Sequence, residues 1–149
     1  MTEIELGLEV IRSYKRLSYT PWHALAEFVD NSTQAYFDNK GVLDAAYEAS
    51  GGIMTVRIDY DPDGEDGGVL RISDNSIGMS LDDVDRAMRI GVPPADPTGR
   101  SRYGMGLKTA ACWLGDYWTV RTSKLGIQKE VVVEVDVNRV ASPEWSWRM

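Results

Sequence analysis

The chain is poor in the residues that usually hold a metal or form a disulfide. Its 149 residues include one cysteine, Cys112, and one histidine, His23. A single thiol excludes an internal disulfide and suits a reducing compartment, so a cytoplasmic location is expected. One histidine and one cysteine do not make a zinc site. Basic charge is also scarce: 16 Lys and Arg stand against 23 Asp and Glu, for a net charge of −7. Such a surface does not grip a phosphate backbone by charge, so direct nucleic-acid binding is not expected. One bound nucleotide is still compatible, because Mg²⁺ and local donors neutralise its phosphates. No apolar run approaches the ~20 residues that span a bilayer, so no membrane contact is expected. The stretch Met1–Glu9 is acidic and lacks the basic and apolar regions of a secretory leader. No repeat or low-complexity tract is visible.

What is present fits one globular domain over residues 1–149. Hydrophobic content is 43% and charged content 26%, ordinary for a chain with a real core. The organising stretch is Thr20–Tyr36. Thr20 then Pro21 is a helix start, with a capping hydroxyl and a proline at the first helical position. Glu27, Asp30, Asn31 and Gln34 share one face of that helix, beside an apolar surface from Leu25, Phe28, Val29 and Tyr36. A polar stripe is by default a solvated face. This one also places a carboxylate able to deprotonate water one turn before an amide oxygen able to hold Mg²⁺.

The remaining elements follow from period and punctuation. Residues 2–16 are expected to be helical, with Thr2 and Glu5 as a capping box. The organising helix runs to about Asn39, with Gly41 as its stop, and Val42–Ser50 is a short further helix ended by Gly51 and Gly52. Ile53–Tyr60 alternates like a half-buried strand, Asp61–Gly68 is a turn, and Val69–Ser73 is a second strand leading into Asp74. Ser80 and Asp83 cap a helix with Leu81, Val84 and Met88 inward and Gly91 at its end. Gly91–Tyr103, rich in proline, is a long loop, and Gly104–Leu114 is a helix. Tyr117–Thr122 and Ile127–Val137 are strands around a turn. Asn138–Met149 has no clear period, so the chain is either a minimal domain or a piece of a longer one. Helices and strands do not alternate one for one. The expected architecture is an α+β two-layer sandwich with a mixed, mostly antiparallel sheet covered by helices on one face.

Two glycine-bearing segments could face the organising helix. In Ile72–Met79 a carboxylate at a strand end, Asp74, can accept from a flat amine such as that of adenine, with Ile77 and Met79 beside the base. In Ser101–Ala110, Gly104 and Gly106 admit close backbone approach at a helix start, an arrangement that binds phosphate, and Lys108 adds charge. Each is by itself an ordinary turn. The segment is not a P-loop, since Met105 stands where lysine is needed. It is not a dinucleotide fingerprint either, since Thr109 replaces the third glycine.

Together and in order, the three segments resemble the GHKL ATPases: DNA gyrase B subunits, heat-shock chaperone ATPases, histidine kinases, MutL and MORC proteins. The E-x-x-D-N box stands as Glu27–Asn31, D-x-G-x-G as Asp74–Gly78, and G-x-G-[LF]-K as Gly104–Lys108. The wording is especially similar to the MORC-like and gyrase-like branches, and the resemblance covers roughly Trp22 to Val137. It implies the Bergerat fold with ATP between helices and sheet. By carry-over Glu27 is the catalytic base, and Asn31 coordinates Mg²⁺. Asp74, Gly78 and Met79 form the adenine pocket. Gly104, Gly106, Leu107 and Lys108 hold the phosphates, and residues 91–103 form a lid. Two departures stand out. Ser76 replaces the first glycine of the second box, which either re-aims the turn or adds a hydroxyl. The late threonine that the family sets beside adenine has no clear match, since Thr119 and Thr122 come early.

Three functions are compatible with this pattern. The first is Mg-dependent ATP hydrolysis, slow in isolation. The second is a nucleotide-gated module whose lid closure presents a surface for a homodimer, a protein partner or a companion domain. The third, a histidine kinase catalytic domain, is disfavoured by a water-activating carboxylate at Glu27. His23, one turn before Glu27, is expected to be partly buried with a local hydrogen bond, and Cys112 to be core.

Overall fold

Thr20 and Pro21 start the first helix as their chemistry requires. The computed structural model describes residues 18–88 and 106–140. The expectations for residues 2–16, Gly91–Tyr103, Gly104 and the tail from residue 141 lie outside the described residues. Helix α1 spans Pro21–Asp38, with the Thr20 hydroxyl accepting from the His23 N–H and proline in the first turn. Its stop is Asn39, not Gly41. The Asn39 side chain donates to the Ala35 carbonyl at 2.9 Å and its N–H donates to Tyr36. This satisfies carbonyls that a glycine turn would otherwise serve, and Gly41 falls inside the next helix, α2 (Lys40–Ser50). Gly51 closes α2 in the left-handed region at φ 69°.

Strands β1 (Val56–Asp61) and β2 (Val69–Asp74) pair antiparallel, from Val56 opposite Asp74 to Asp61 opposite Val69. The first strand begins three residues later than its alternation predicts. Residues 53–55 instead bond to one residue: the Asn75 side chain donates to the Ile53 carbonyl and accepts from the Thr55 N–H, both at 2.8 Å, and the Asn75 N–H donates to the Thr55 carbonyl at 3.3 Å. Helix α3 (Leu81–Met88) follows, then α4 (Gly106–Leu114), β3 (Tyr117–Ser123), β4 (Glu130–Asp136) and a single turn, α5 (Val137–Val140). The last strand also starts late. β3 ends at Ser123, opposite Glu130, so residues 127–129 have no partner on it.

The chain is mixed α+β. The core joins Val84 and Met88 of α3, Cys112 of α4, Val133 and Val135 from the inner face of β4, and Val137 at the start of α5. Cys112 is buried there, as expected. Leu81 is 48% exposed rather than inward, because it stands at the helix start beyond this cluster. The expected single sheet is instead two antiparallel hairpins among the described residues. The turn after β2 docks on the second hairpin: Leu125 N–H donates to the Ile77 carbonyl and Met79 N–H to the Thr122 hydroxyl, both at 2.9 Å. These bonds join the turn after β2 to the second hairpin. Helix α1 packs on α4 where side chains are small, with Ala24 and Ala110 fully buried.

Candidate active site

Helix α1 meets both glycine-bearing segments. Near its start, the Glu27 carboxylate lies against Gly106, the first residue of α4. A Cβ built on Gly106 would stand 2.1 Å from Glu27 Oε2, so only glycine leaves room for the carboxylate there. The other oxygen, Oε1, faces the Tyr19 hydroxyl at 3.4 Å. A helix N-terminus favours negative charge, which suits a carboxylate or a phosphate oxygen in that place.

Five residues further on, the Ser32 hydroxyl donates to Asp74 Oδ2 at 2.7 Å. Ser32 is buried, so the bond is sheltered where it leaves the helix. Asp74 Oδ1 accepts from the Ser76 N–H at 2.9 Å. Among the described residues each carboxylate oxygen has one protein donor and keeps a lone pair for another. Asp74 itself is solvent-exposed, and so open to a ligand. At 1.5 Å per residue, Glu27 and Ser32 are separated by ~7.5 Å along α1. One rigid helix thus sets the spacing between the two segments it touches.

The turn after Asp74 is built around one glycine. Gly78 has φ 70°, and a Cβ on it would fall 1.9 Å from the Ser123 carbonyl oxygen. Ser76 has no such demand, since Asp66 is the one non-glycine residue with positive φ among those described. Serine in place of glycine therefore does not re-aim the turn. It adds a hydroxyl, which is buried and finds no partner among the described residues.

The remaining expected residues fall as follows. Asn31 is half-buried on α1, one turn beyond Glu27. Met79 and Leu107 pack side chains against the core cluster. Lys108 is 6% exposed, and burial lowers its pKa against a smaller opposing effect from Cys112. It is a buried residue of α4 rather than a solvated point charge. His23 is exposed rather than partly buried, with Nδ1 3.0 Å from the Thr20 hydroxyl. Gly104 lies outside the described residues. The boxes do not contain Tyr19, Ser32 or Thr122. For Ser32 a signal existed, a hydroxyl directly after Asn31. For Tyr19 there was none.

No group of three or more His, Cys, Asp or Glu among the described residues could hold a metal ion. No described helix is long and apolar enough to cross a membrane. A family model described as Histidine kinase-, DNA gyrase B-, and HSP90-like ATPase matches residues 19–148. Among curated proteins, none matches the chain.

Proposed function

Because the chain belongs to the histidine kinase-, DNA gyrase B- and HSP90-like ATPase family, we propose that it binds ATP with Mg²⁺ and hydrolyses it, with Glu27 as the base that activates water. The observation that carries this reading is the double contact of α1, with Glu27 on Gly106 and Ser32 on Asp74. A carboxylate at a helix N-terminus and an exposed carboxylate at a strand end are thereby held by one element.

In this reading Asp74 accepts from the adenine amine while Ser32 and the Ser76 N–H keep its oxygens oriented. Gly78 gives the turn its shape, and Met79 closes the base pocket from the core side. Backbone N–H groups at Gly104, Gly106 and Leu107 meet the phosphates, with Lys108 adding positive charge behind them. Glu27 takes a proton from water as it attacks the γ-phosphate, whose bond to the β–γ bridging oxygen breaks so that ADP leaves. The donor set suits Mg²⁺ only as an ion that arrives with phosphate: Asn31 offers one amide oxygen, and no acidic cage stands among the described residues. Asn31 would hold it, and the bound ion would neutralise charge on the phosphate oxygens.

The test is a Mg-ATP titration followed by tryptophan fluorescence, paired with a hydrolysis assay. E27Q should bind Mg-ATP nearly as tightly as the parent and hydrolyse it about 10²–10⁴ times more slowly. D74N should weaken binding about tenfold or more, since it replaces a charged acceptor by an amide. Equal loss of binding in E27Q, or unchanged affinity in D74N, would remove these roles.

The second reading, a nucleotide-gated module with little turnover, has one supporting observation. Trp22 is 78% and Tyr60 65% exposed, unusual for large aromatics in a small domain. Dimerisation on addition of a non-hydrolysable ATP analogue, measured by light scattering, would favour it.

A further inference from the structure

We propose that Tyr19 is a positioning residue for the base, its hydroxyl holding the Glu27 carboxylate against the first turn of α4. The inference rests on the reading of Glu27 given above. Tyr19 precedes the helix cap and lies outside all three boxes. Its hydroxyl faces Glu27 Oε1 at 3.4 Å, while Oε2 rests against Gly106. The carboxylate is thus held at both oxygens, by a phenol on one side and a bare α-carbon on the other.

The Tyr19 ring has neighbours that fix it. His23 meets it edge-on, with centroids 6.2 Å apart and planes at 67°. Trp113 meets it at 6.0 Å with a 45° tilt. Trp113 belongs to α4, the helix that begins with Gly106. The ring therefore ties the hydroxyl to the same element that the carboxylate must address. Burial, then the negative charge of Glu27, raises the phenol pKa above its ordinary value. The group stays protonated, and toward an ionised carboxylate it acts only as donor. A separation of 3.4 Å is long for an O–H···O bond, but catalytic hydrogen bonds are commonly long without substrate and shorten in its presence.

The contact selects one rotamer of a flexible glutamate. A carboxylate that faces the phosphate end of the site on arrival of ATP needs no search, and small misplacements of a catalytic group are costly in rate. A donor on Oε1 also leaves Oε2 as the oxygen to which water presents its proton.

The test uses the whole chain in four forms: parent, Y19F, E27Q and the double variant. The phenyl ring of Y19F keeps the contacts with His23 and Trp113, so its melting temperature should match the parent. Its kcat should fall about tenfold while Kd for Mg-ATP stays within about twofold. In the E27Q background, adding Y19F should cost nothing further, because Tyr19 acts through the carboxylate. An unchanged kcat in Y19F overturns the proposal. So does the same fold-loss in the E27Q background, or a rise in Kd that matches the fall in kcat. If E27Q hydrolyses ATP as fast as the parent, the assignment of Glu27 falls and Tyr19 with it. If E27Q is slow and Y19F is not, only the role of Tyr19 is lost.

Discussion

Gly106 and Gly78 show how one substitution has two meanings. At Gly106 the atom in the way is the free end of the Glu27 side chain. That end can swing aside, and alanine suits a helix. G106A is therefore expected to keep or slightly raise the melting temperature while displacing the carboxylate. Hydrolysis should fall at least about tenfold, a separation readable from a thermal melt beside an ATPase assay. At Gly78 the obstacle is the Ser123 backbone carbonyl, and φ is 70°. Neither yields, so G78A should cost about 2–4 kcal/mol in a denaturant melt. A G78A protein as stable as the parent would mean that the turn does not dock on the second hairpin as described. The two glycines look alike in the chain. What distinguishes them is whether a side chain or a backbone faces them.

At the scale of the element, α3 is tied at its start by side chains from two parts of the chain. Ser80 and Asp83 make the expected reciprocal cap, with Ser80 N–H and hydroxyl donating to Asp83 Oδ2 at 3.0 and 2.7 Å. The sequence pattern shows this cap but not its third member, Lys124 from the β3–β4 turn, which donates to the same oxygen at 2.7 Å. Lys124 is distant in the chain and becomes a neighbour only when the hairpin folds back. Its hydrogen bond, then those from Ser80, lowers the Asp83 pKa to about 2 from 3.8. The folded value is depressed, so the stabilisation is complete above pH 3.8 and is lost as pH falls from there through 2. The pair is partly exposed and screened by solvent, which limits it to about 1 kcal/mol. K124Q should be less stable than the parent by that amount at pH 6. The gap should narrow as pH falls from 4 through 2 in parallel urea melts; a gap at pH 2 as wide as at pH 6 would exclude the ion pair as its source.

At the scale of the molecule, two short hairpins are held together through a turn and two helices. A two-stranded hairpin is marginal alone. The bonds from Leu125 to Ile77 and from Met79 to Thr122 tie the turn after the first hairpin to the second. A ligand bound between Asp74 and the start of α4 would bridge α1, α4 and the turn at once. Mg-ATP at 100 times its Kd adds about 2.7 kcal/mol to the folded state. For a domain of this size that is a rise of about 5–10 °C in melting temperature. The rise should be absent with Mg-GTP and reduced in D74N. An equal rise with both nucleotides would argue against a base pocket at Asp74.

The start of α1, the cap at Ser80, the strands and the order of the three boxes were legible in the chain because each depends on neighbours within a few residues. Thr20 caps its own helix, and Val133 and Val135 alternate into the core, whatever else the protein does. Strand ends, the split of the sheet and the burial of Lys108 were not legible, because each depends on a partner remote in sequence. Asn75 takes the place of a strand partner for residues 53–55, and Ser123 sets where β4 begins to pair. The site divides in the same way. Local order names Glu27, Asp74 and Gly106, but contact between Glu27 and Gly106, or between Ser32 and Asp74, exists only once α1 packs on α4 and reaches the turn after β2. Tyr19 marks the limit: a lone tyrosine before a helix carries no pattern, and its meaning comes entirely from the carboxylate that folding brings within reach of its hydroxyl.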